Sequence, residues 1–181
     1  IDVDVTTGAS ASIMGAQDSD DISVDVESGA DATIWGGNAT NDPDDAGDRI
    51  DVVVSGDGGA TVYGNGGDDS VTADAEGGGV LVEVYGGFGD DEIDVDVVGS
   101  IAVIHGGQDA DAIDLNIDGG FAIVYGGNET NDPDDAADDI SVVLTGGSTA
   151  SVYGNGGDDM IAVTVDGSSA EIFGGFGSDM I

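Results

Sequence analysis

The sequence predicts an all-β protein, a solenoid of stacked parallel coils, and three observations carry that expectation. A glycine- and acid-rich octet recurs eight times in 181 residues, the segments between octets alternate apolar and polar, and an apolar row stands at the same place before every octet. The plain copies read GAQDSDDI from Gly15, GNGGDDSV from Gly64, GGFGDDEI from Gly86, GGQDADAI from Gly106, GNGGDDMI from Gly154 and GGFGSDMI from Gly174. Two further copies are opened by insertions, GGNATNDPDDAGDRI from Gly36 and GGNETNDPDDAADDI from Gly126. From first glycine to first glycine the steps are 21, 28, 22, 20, 20, 28 and 20 residues, the two long ones being the insertions.

Each coil reads as strand, plain turn, strand, glycine-acid turn. The first strand follows the octet's closing apolar residue, as in Ile22–Val26 (ISVDV), Ile93–Val97 (IDVDV), Ile113–Ile117 (IDLNI) and Ile161–Val165 (IAVTV). Period-two alternation of this kind marks a strand with one buried face. A turn rich in Gly and Ser comes next, such as 166–169 (DGSS) or 145–148 (TGGS), and a second strand runs into the following octet. In that second strand the residue two places before the first glycine is Ile13, Ile34, Val62, Val84, Ile104, Val124, Val152 or Ile172. Two places earlier stand Ala11, Ala32, Ala60, Val82, Ala102, Ala122, Ala150 and Ala170, and so small a row implies a narrow interior. Eight coils about 4.8 Å apart make a rod core of roughly 38 Å, and each coil buries its apolar stripe only against its neighbours.

A longer period is superimposed on the short one. The stretch IDVDV at Ile1–Val5 returns at Ile93–Val97, and the inserted octets lie 90 residues apart. The chain therefore divides into two four-coil units, residues 1–92 and 93–181, within one continuous solenoid. Ile181 stands where a third unit would begin, so the chain reads as an excerpt of a longer array.

Composition narrows the function. Thirty-nine acids against one base, Arg49, leave a formal net charge of −38. Nucleic acid and anionic membrane surfaces are poor partners for such a chain, and no apolar stretch approaches a membrane span. The hydrophobic content of 39% and its short-range order separate the chain from a disordered acidic tract. Folding needs something to neutralise the acids, and carboxylate and carbonyl oxygens are hard ligands suited to calcium. The chain has no cysteine, which removes disulfides and thiolate metal sites.

The octet pattern Gly-Gly-x-Gly-x-Asp-x-apolar resembles the RTX, or haemolysin-type, calcium-binding repeat over essentially the whole length. Its Asp, two places before the closing apolar residue, is present in every copy: Asp20, Asp48, Asp69, Asp91, Asp111, Asp138, Asp159 and Asp179. Glycine permits the positive φ and close carbonyl approach of a tight loop, and Asp supplies a charged ligand. The resemblance implies a right-handed parallel β-solenoid of the β-roll type, here with about 20–22 residues per coil and calcium turns on one edge. It also implies multiple Ca2+ ions held between successive coils, with the Asp side chains joined by turn residues. Those are the first- and third-place residues Gly15 and Gln17, Gly36 and Asn38, Gly64 and Gly66, Gly86 and Phe88, Gly106 and Gln108, Gly126 and Asn128, Gly154 and Gly156, Gly174 and Phe176. Asp18 and Asp109, at the fourth place, keep oxygen ligands available. The family's own coil is shorter and carries such turns on both edges, whereas here the second edge has plain turns such as 98–100 (VGS).

Other features have two readings each. Asp42, Asp44 and Asp45 in one insertion, and Asp132, Asp134 and Asp135 in the other, are candidates for an extra calcium site or form a solvated acidic loop. Met14, Trp35, Tyr63, Tyr85, His105, Tyr125, Tyr153 and Phe173 directly precede the octets and alternate with the buried row, which places them outside. They form either a docking ladder, for another rod, a glycan or the inserted loops, or rings stacked on one another over the turn. The stacking role is the expectation for His105. Acid pairs such as Asp94 and Asp96 repeat from coil to coil as a solvated or cation-coated face, and no catalytic grouping stands out, so no enzyme is expected.

The functional expectation is a calcium-dependent structural repeat of a secreted bacterial surface protein, forming an extracellular filament, adhesin stalk or surface layer. Its partners would be other copies of itself, joined end to end or laterally, with glycan or cell-surface contact as a further possibility. Export by a type I system is what the family resemblance implies. The alternatives are a calcium-triggered folding and secretion module of a toxin or extracellular enzyme, and a ligand- or ice-binding rod. The outward row Ser12, Thr33, Thr61, Glu83, Val103, Ile123, Ser151 and Glu171 lacks the Thr ladder that ice binding usually wants.

Overall fold

The structure is a computed structural model that describes residues 1–38, 43–128 and 135–181. The described residues contain strands and turns and no helix. In chain order the strands are β1 (Asp2–Val5), β2 (Ser10–Met14), β3 (Asp21–Val26), β4 (Asp31–Trp35), β5 (Arg49–Ser55), β6 (Gly59–Gly66), β7 (Ser70–Glu76) and β8 (Leu81–Phe88). They continue as β9 (Glu92–Val98), β10 (Ile101–Gln108), β11 (Ala112–Asp118), β12 (Phe121–Gly127), β13 (Asp139–Thr145), β14 (Thr149–Gly156), β15 (Met160–Val165) and β16 (Ser169–Phe176). The odd-numbered strands form one eight-stranded sheet in chain order and the even-numbered strands form the other. Neighbours within each sheet are parallel, so one coil contributes a strand to each sheet and eight coils make a two-sheet solenoid.

Register follows the sequence rows. In the odd sheet Ile22, Ile50, Val71, Ile93, Ile113, Ile140 and Ile161 pair in succession, and all seven are buried. The small row of the even sheet pairs likewise, from Ala11 through Ala32, Ala60, Val82, Ala102, Ala122 and Ala150 to Ala170. The even sheet thus adds a small row beside its own buried Ile and Val row, which suits a narrow, dense two-sheet interior. The core runs unbroken along the rod and crosses from Glu92 to Ile93 with no change of register. Val3, Ala11, Val163, Ala170 and Ile172 are only partly buried, because the first and last coils have a neighbour on one side.

The insertions leave the stacking intact: β4 pairs with β6 and β12 with β14 in the register of the plain coils. The plain turns lie on the edge opposite the octets and use glycines at positive φ, such as Gly29, Gly56, Gly99 and Gly119. Ser148 bridges coils there, its Oγ accepting the Gly119 N–H at 2.8 Å.

The ladder before the octets is continuous. Rings stack from Trp35 through Tyr63, Tyr85, His105, Tyr125 and Tyr153 to Phe173, with centroids 4.7–5.8 Å apart and planes within 14° of parallel. Stacking inside one ladder is the arrangement expected for His105, but the outward placement needs a correction: His105 is 4% exposed and its tyrosine neighbours are half-buried. Each ring shields the faces of the next, so only the edges of the ladder meet solvent.

Candidate metal centre

The octet turn is built from three different uses of small or polar residues. The first glycine is there because of what approaches it. A Cβ on Gly64, Gly86, Gly106, Gly126 or Gly154 would overlap Oδ2 of the same octet's Asp and the first-glycine carbonyl oxygen of the next coil, both well inside 3 Å. The second and fourth places are left-handed instead. The second place has positive φ in Ala16, Asn65, Gly87, Gly107, Asn155 and Gly175, and the fourth in Gly67, Gly89, Asp109, Gly157 and Gly177. Asn and Asp are the non-glycine residues that tolerate this region best, which explains Asn65, Asn155 and Asp109 where the pattern departs from glycine.

The sixth-place aspartates form one axial ladder. The N–H of Asp20 donates to Asp48 Oδ1 at 2.7 Å, Asp48 N–H to Asp69 Oδ1 at 2.7 Å, and Asp69 N–H to Asp91 Oδ1 at 2.8 Å. The chain continues from Asp91 to Asp111 at 3.0 Å, Asp111 to Asp138 at 2.9 Å, Asp138 to Asp159 at 3.0 Å and Asp159 to Asp179 at 3.2 Å. Asp48, Asp69, Asp91, Asp111, Asp138 and Asp159 are buried, while Asp20 and Asp179, in the end coils, are half-buried. In those six buried residues Oδ1 is used and Oδ2 is buried without a hydrogen-bond partner.

Six buried carboxylate oxygens without a donor set the electrostatics of the turn. Burial is the main cause that pushes the carboxyls up, the N–H donated to each pulls the other way, and neighbouring acids add to the rise. Asp48 is raised to about 6, Asp69, Asp91 and Asp138 to about 8, and Asp111 to about 9, and Asp159 moves in the same direction. A buried oxygen of this kind needs a proton or a cation.

The residues present fit a divalent cation bound through oxygen. Each rung offers the orphaned Oδ2 with the next coil's first-glycine carbonyl beside it, both oxygen donors. Among the described residues no three His, Asp or Glu side chains gather into a cage, so the rest of a coordination shell would come from main-chain carbonyls. Of the third-place residues, Gln17 and Phe176 are exposed and Asn38 and Phe88 half-buried, so their side chains share no common role; Asn128 Nδ2 donates to Gly107 O at 3.2 Å. Asp18 is exposed at the fourth place of its turn.

An outer ladder at the fifth place escaped the sequence reading. Asp68 Oδ1 accepts the Asp90 N–H at 3.0 Å, Asp90 Oδ1 the Ala110 N–H at 3.0 Å, and Asp158 Oδ1 the Ser178 N–H at 2.7 Å. The doubled Asp of GDDS, GDDE and GDDM was its signal. Of the insertion acids, Asp42, Asp132 and Asp134 lie outside the described residues and Asp44 is exposed. Asp45 and Asp135 turn back into their own octets, where their Oδ2 atoms occupy the space a Cβ on Gly37 or Gly127 would need.

No family model, no curated protein and no solved structure matches the chain. The class is therefore defined by the fold and the turn themselves: a parallel β-solenoid of eight coils with an axial ladder of aspartates, compatible with an RTX-like β-roll.

Proposed function

We propose that the chain is a calcium-dependent structural rod, a repetitive segment of a secreted bacterial surface protein that builds an extracellular filament, adhesin stalk or surface layer. One observation carries the calcium reading: six buried carboxylate oxygens stand in one line with no donor to satisfy them. Asp20, Asp48, Asp69, Asp91, Asp111, Asp138, Asp159 and Asp179 would hold the ions, with the first-glycine carbonyls of adjacent coils. Bound calcium would supply positive charge between coils that otherwise repel. The chain's own residues do the rest. The Oδ1 atoms tie each coil to the preceding one through its N–H, and the first glycines leave room for carboxylate and carbonyl to meet. Because the line of oxygens exists only once coils stack, ion binding and folding are coupled.

The rod reading is supported by the uniform stacking of the coils and the unbroken core that runs along them. Such a chain suits passage from a calcium-poor cytosol as an unfolded polyanion and folding outside the cell. The test is electron microscopy of the native secreted protein in millimolar calcium and again after chelation. Long uniform fibres that dissolve on chelation are the expected result. Discrete particles that never extend, whatever the calcium, would overturn the filament reading in favour of a folding and secretion module serving another domain.

A further inference from the structure

The two outer faces of the solenoid differ in charge. On the odd sheet the outward positions of the middle coils carry Glu92, Asp94, Asp96, Asp114 and Asp74, with the exposed Val53 and Val98 set among these acids. On the even sheet the same coils point Leu81, Ile101 and Phe121 outward, each about two-fifths exposed, beside half-buried Val103 and Ile123, and Glu83 is the one acid among them. These residues sit in register on three adjacent strands, so they make one contiguous flat apolar patch edged by the ring ladder. Buried rows facing the core account for none of it.

We propose that this face joins two copies of the chain side by side, even sheet against even sheet. Charge argues for the occupant. A chain of net charge −38 can approach itself only through a face almost free of acids, and the even sheet of a second copy is the matching one. A two-fold axis through the patch would set Val103 and Ile123 of each copy against the same strands of the other, since isologous contacts pair a surface with itself. A glycan platform fits less well, because sugars stack on ring faces and here the rings cover one another's faces at 4.7–5.8 Å.

Area sets the strength. The three-strand patch covers about 240 Å² in projection and the whole eight-strand face about 650 Å², from strand spacing and rise. A standard interface buries roughly 800 Å² per partner. Single chains should therefore pair weakly, and arrays of the same unit should pair more tightly, by avidity. The proposal names the lateral face of the assembling rod and rests on that reading; it does not rest on calcium.

The test is sedimentation velocity up to about 0.5 mM protein, in whichever of calcium or chelator gives the β-rich circular dichroism of the folded rod. The native chain should shift toward dimer with concentration. The double variant Val103→Asp/Ile123→Asp should stay monomeric over that range, and the control Val53→Asp/Val98→Asp on the acidic face should dimerise as the native chain does. Should the aspartates disturb folding, Val103→Thr/Ile123→Thr places at these rungs the residue that Thr33 and Thr61 already provide, and it should weaken pairing at least tenfold. A folded native chain that is monomeric throughout would overturn the lateral face and leave the rod intact. Association that survives the even-sheet changes would overturn it too, and would put the joint on another face or on the end coils. Fibres that fail to form while lateral dimers persist would count against the filament alone.

Discussion

In metal-free solution the solenoid should lose stability as the pH rises, the opposite of an ordinary acid-denatured protein. Asp69, Asp91, Asp111 and Asp138 have folded-state values of about 8 to 9 against 3.8 for a free carboxyl, with burial as the first cause. A raised value means that the folded chain keeps protons that the unfolded chain has already released. Their stabilisation is complete below the unfolded value, near 4, and is lost as the pH climbs through 8 to 9. Between those limits the folded state holds up to four more protons, which at about 1.4 kcal/mol per proton per pH unit gives a slope of roughly 5 kcal/mol per unit. A domain stable by about 5–15 kcal/mol would exhaust that margin within about one to three units. The assay is far-ultraviolet circular dichroism with Trp35 fluorescence from pH 4 to about 9, on chelated protein and again in millimolar calcium. The chelated chain should unfold as the pH rises and the calcium-loaded chain should not. A metal-free chain that holds its β signal to pH 9, or that unfolds on acidification instead, would refute the account of the ladder.

Glycine at the first place should be far more sensitive than glycine in the plain turns. Gly86→Ala drives a methyl into Asp91 Oδ2 and the Gly106 carbonyl and should cost about 2–4 kcal/mol in urea denaturation, whereas Gly78→Ala meets nothing within 4 Å and should change stability by less than about 1 kcal/mol. Asp111→Asn keeps an oxygen for the Asp91 N–H and turns an amide toward the Gly126 carbonyl. It should stabilise the metal-free chain at neutral pH by about 2–4 kcal/mol and lower the calcium stoichiometry measured by titration calorimetry. Tyr125→Ala removes the ring between His105 and Tyr153, stacked at 4.8 and 5.0 Å, and should cost about 1–2 kcal/mol by thermal melting.

Much of this molecule is legible in its sequence because a solenoid repeats one local decision. Alternation at Ile93–Val97 names the buried face, the Ala row names the narrow side, and steps of 20–22 residues, with the two insertions looped out, let those rows fall into register without any long-range choice. The sixth-place Asp was equally plain as the constant acid. What it does was not, since the bond from Asp69 N–H to Asp91 Oδ1 joins residues 22 positions apart and exists only between stacked coils. The same holds for the first glycine, which looks in sequence like a conformational device and proves to be the gap into which the next coil's carbonyl fits. Composition told that the chain is acidic, while stacking decided which acids lose their water and which remain solvated. Sequence alone determined the coil and its period; the pairing of coils decided the depth of Asp111, the shielding of His105 and the flat apolar patch at Ile101, because burial belongs to neighbours that only the stacked chain brings together.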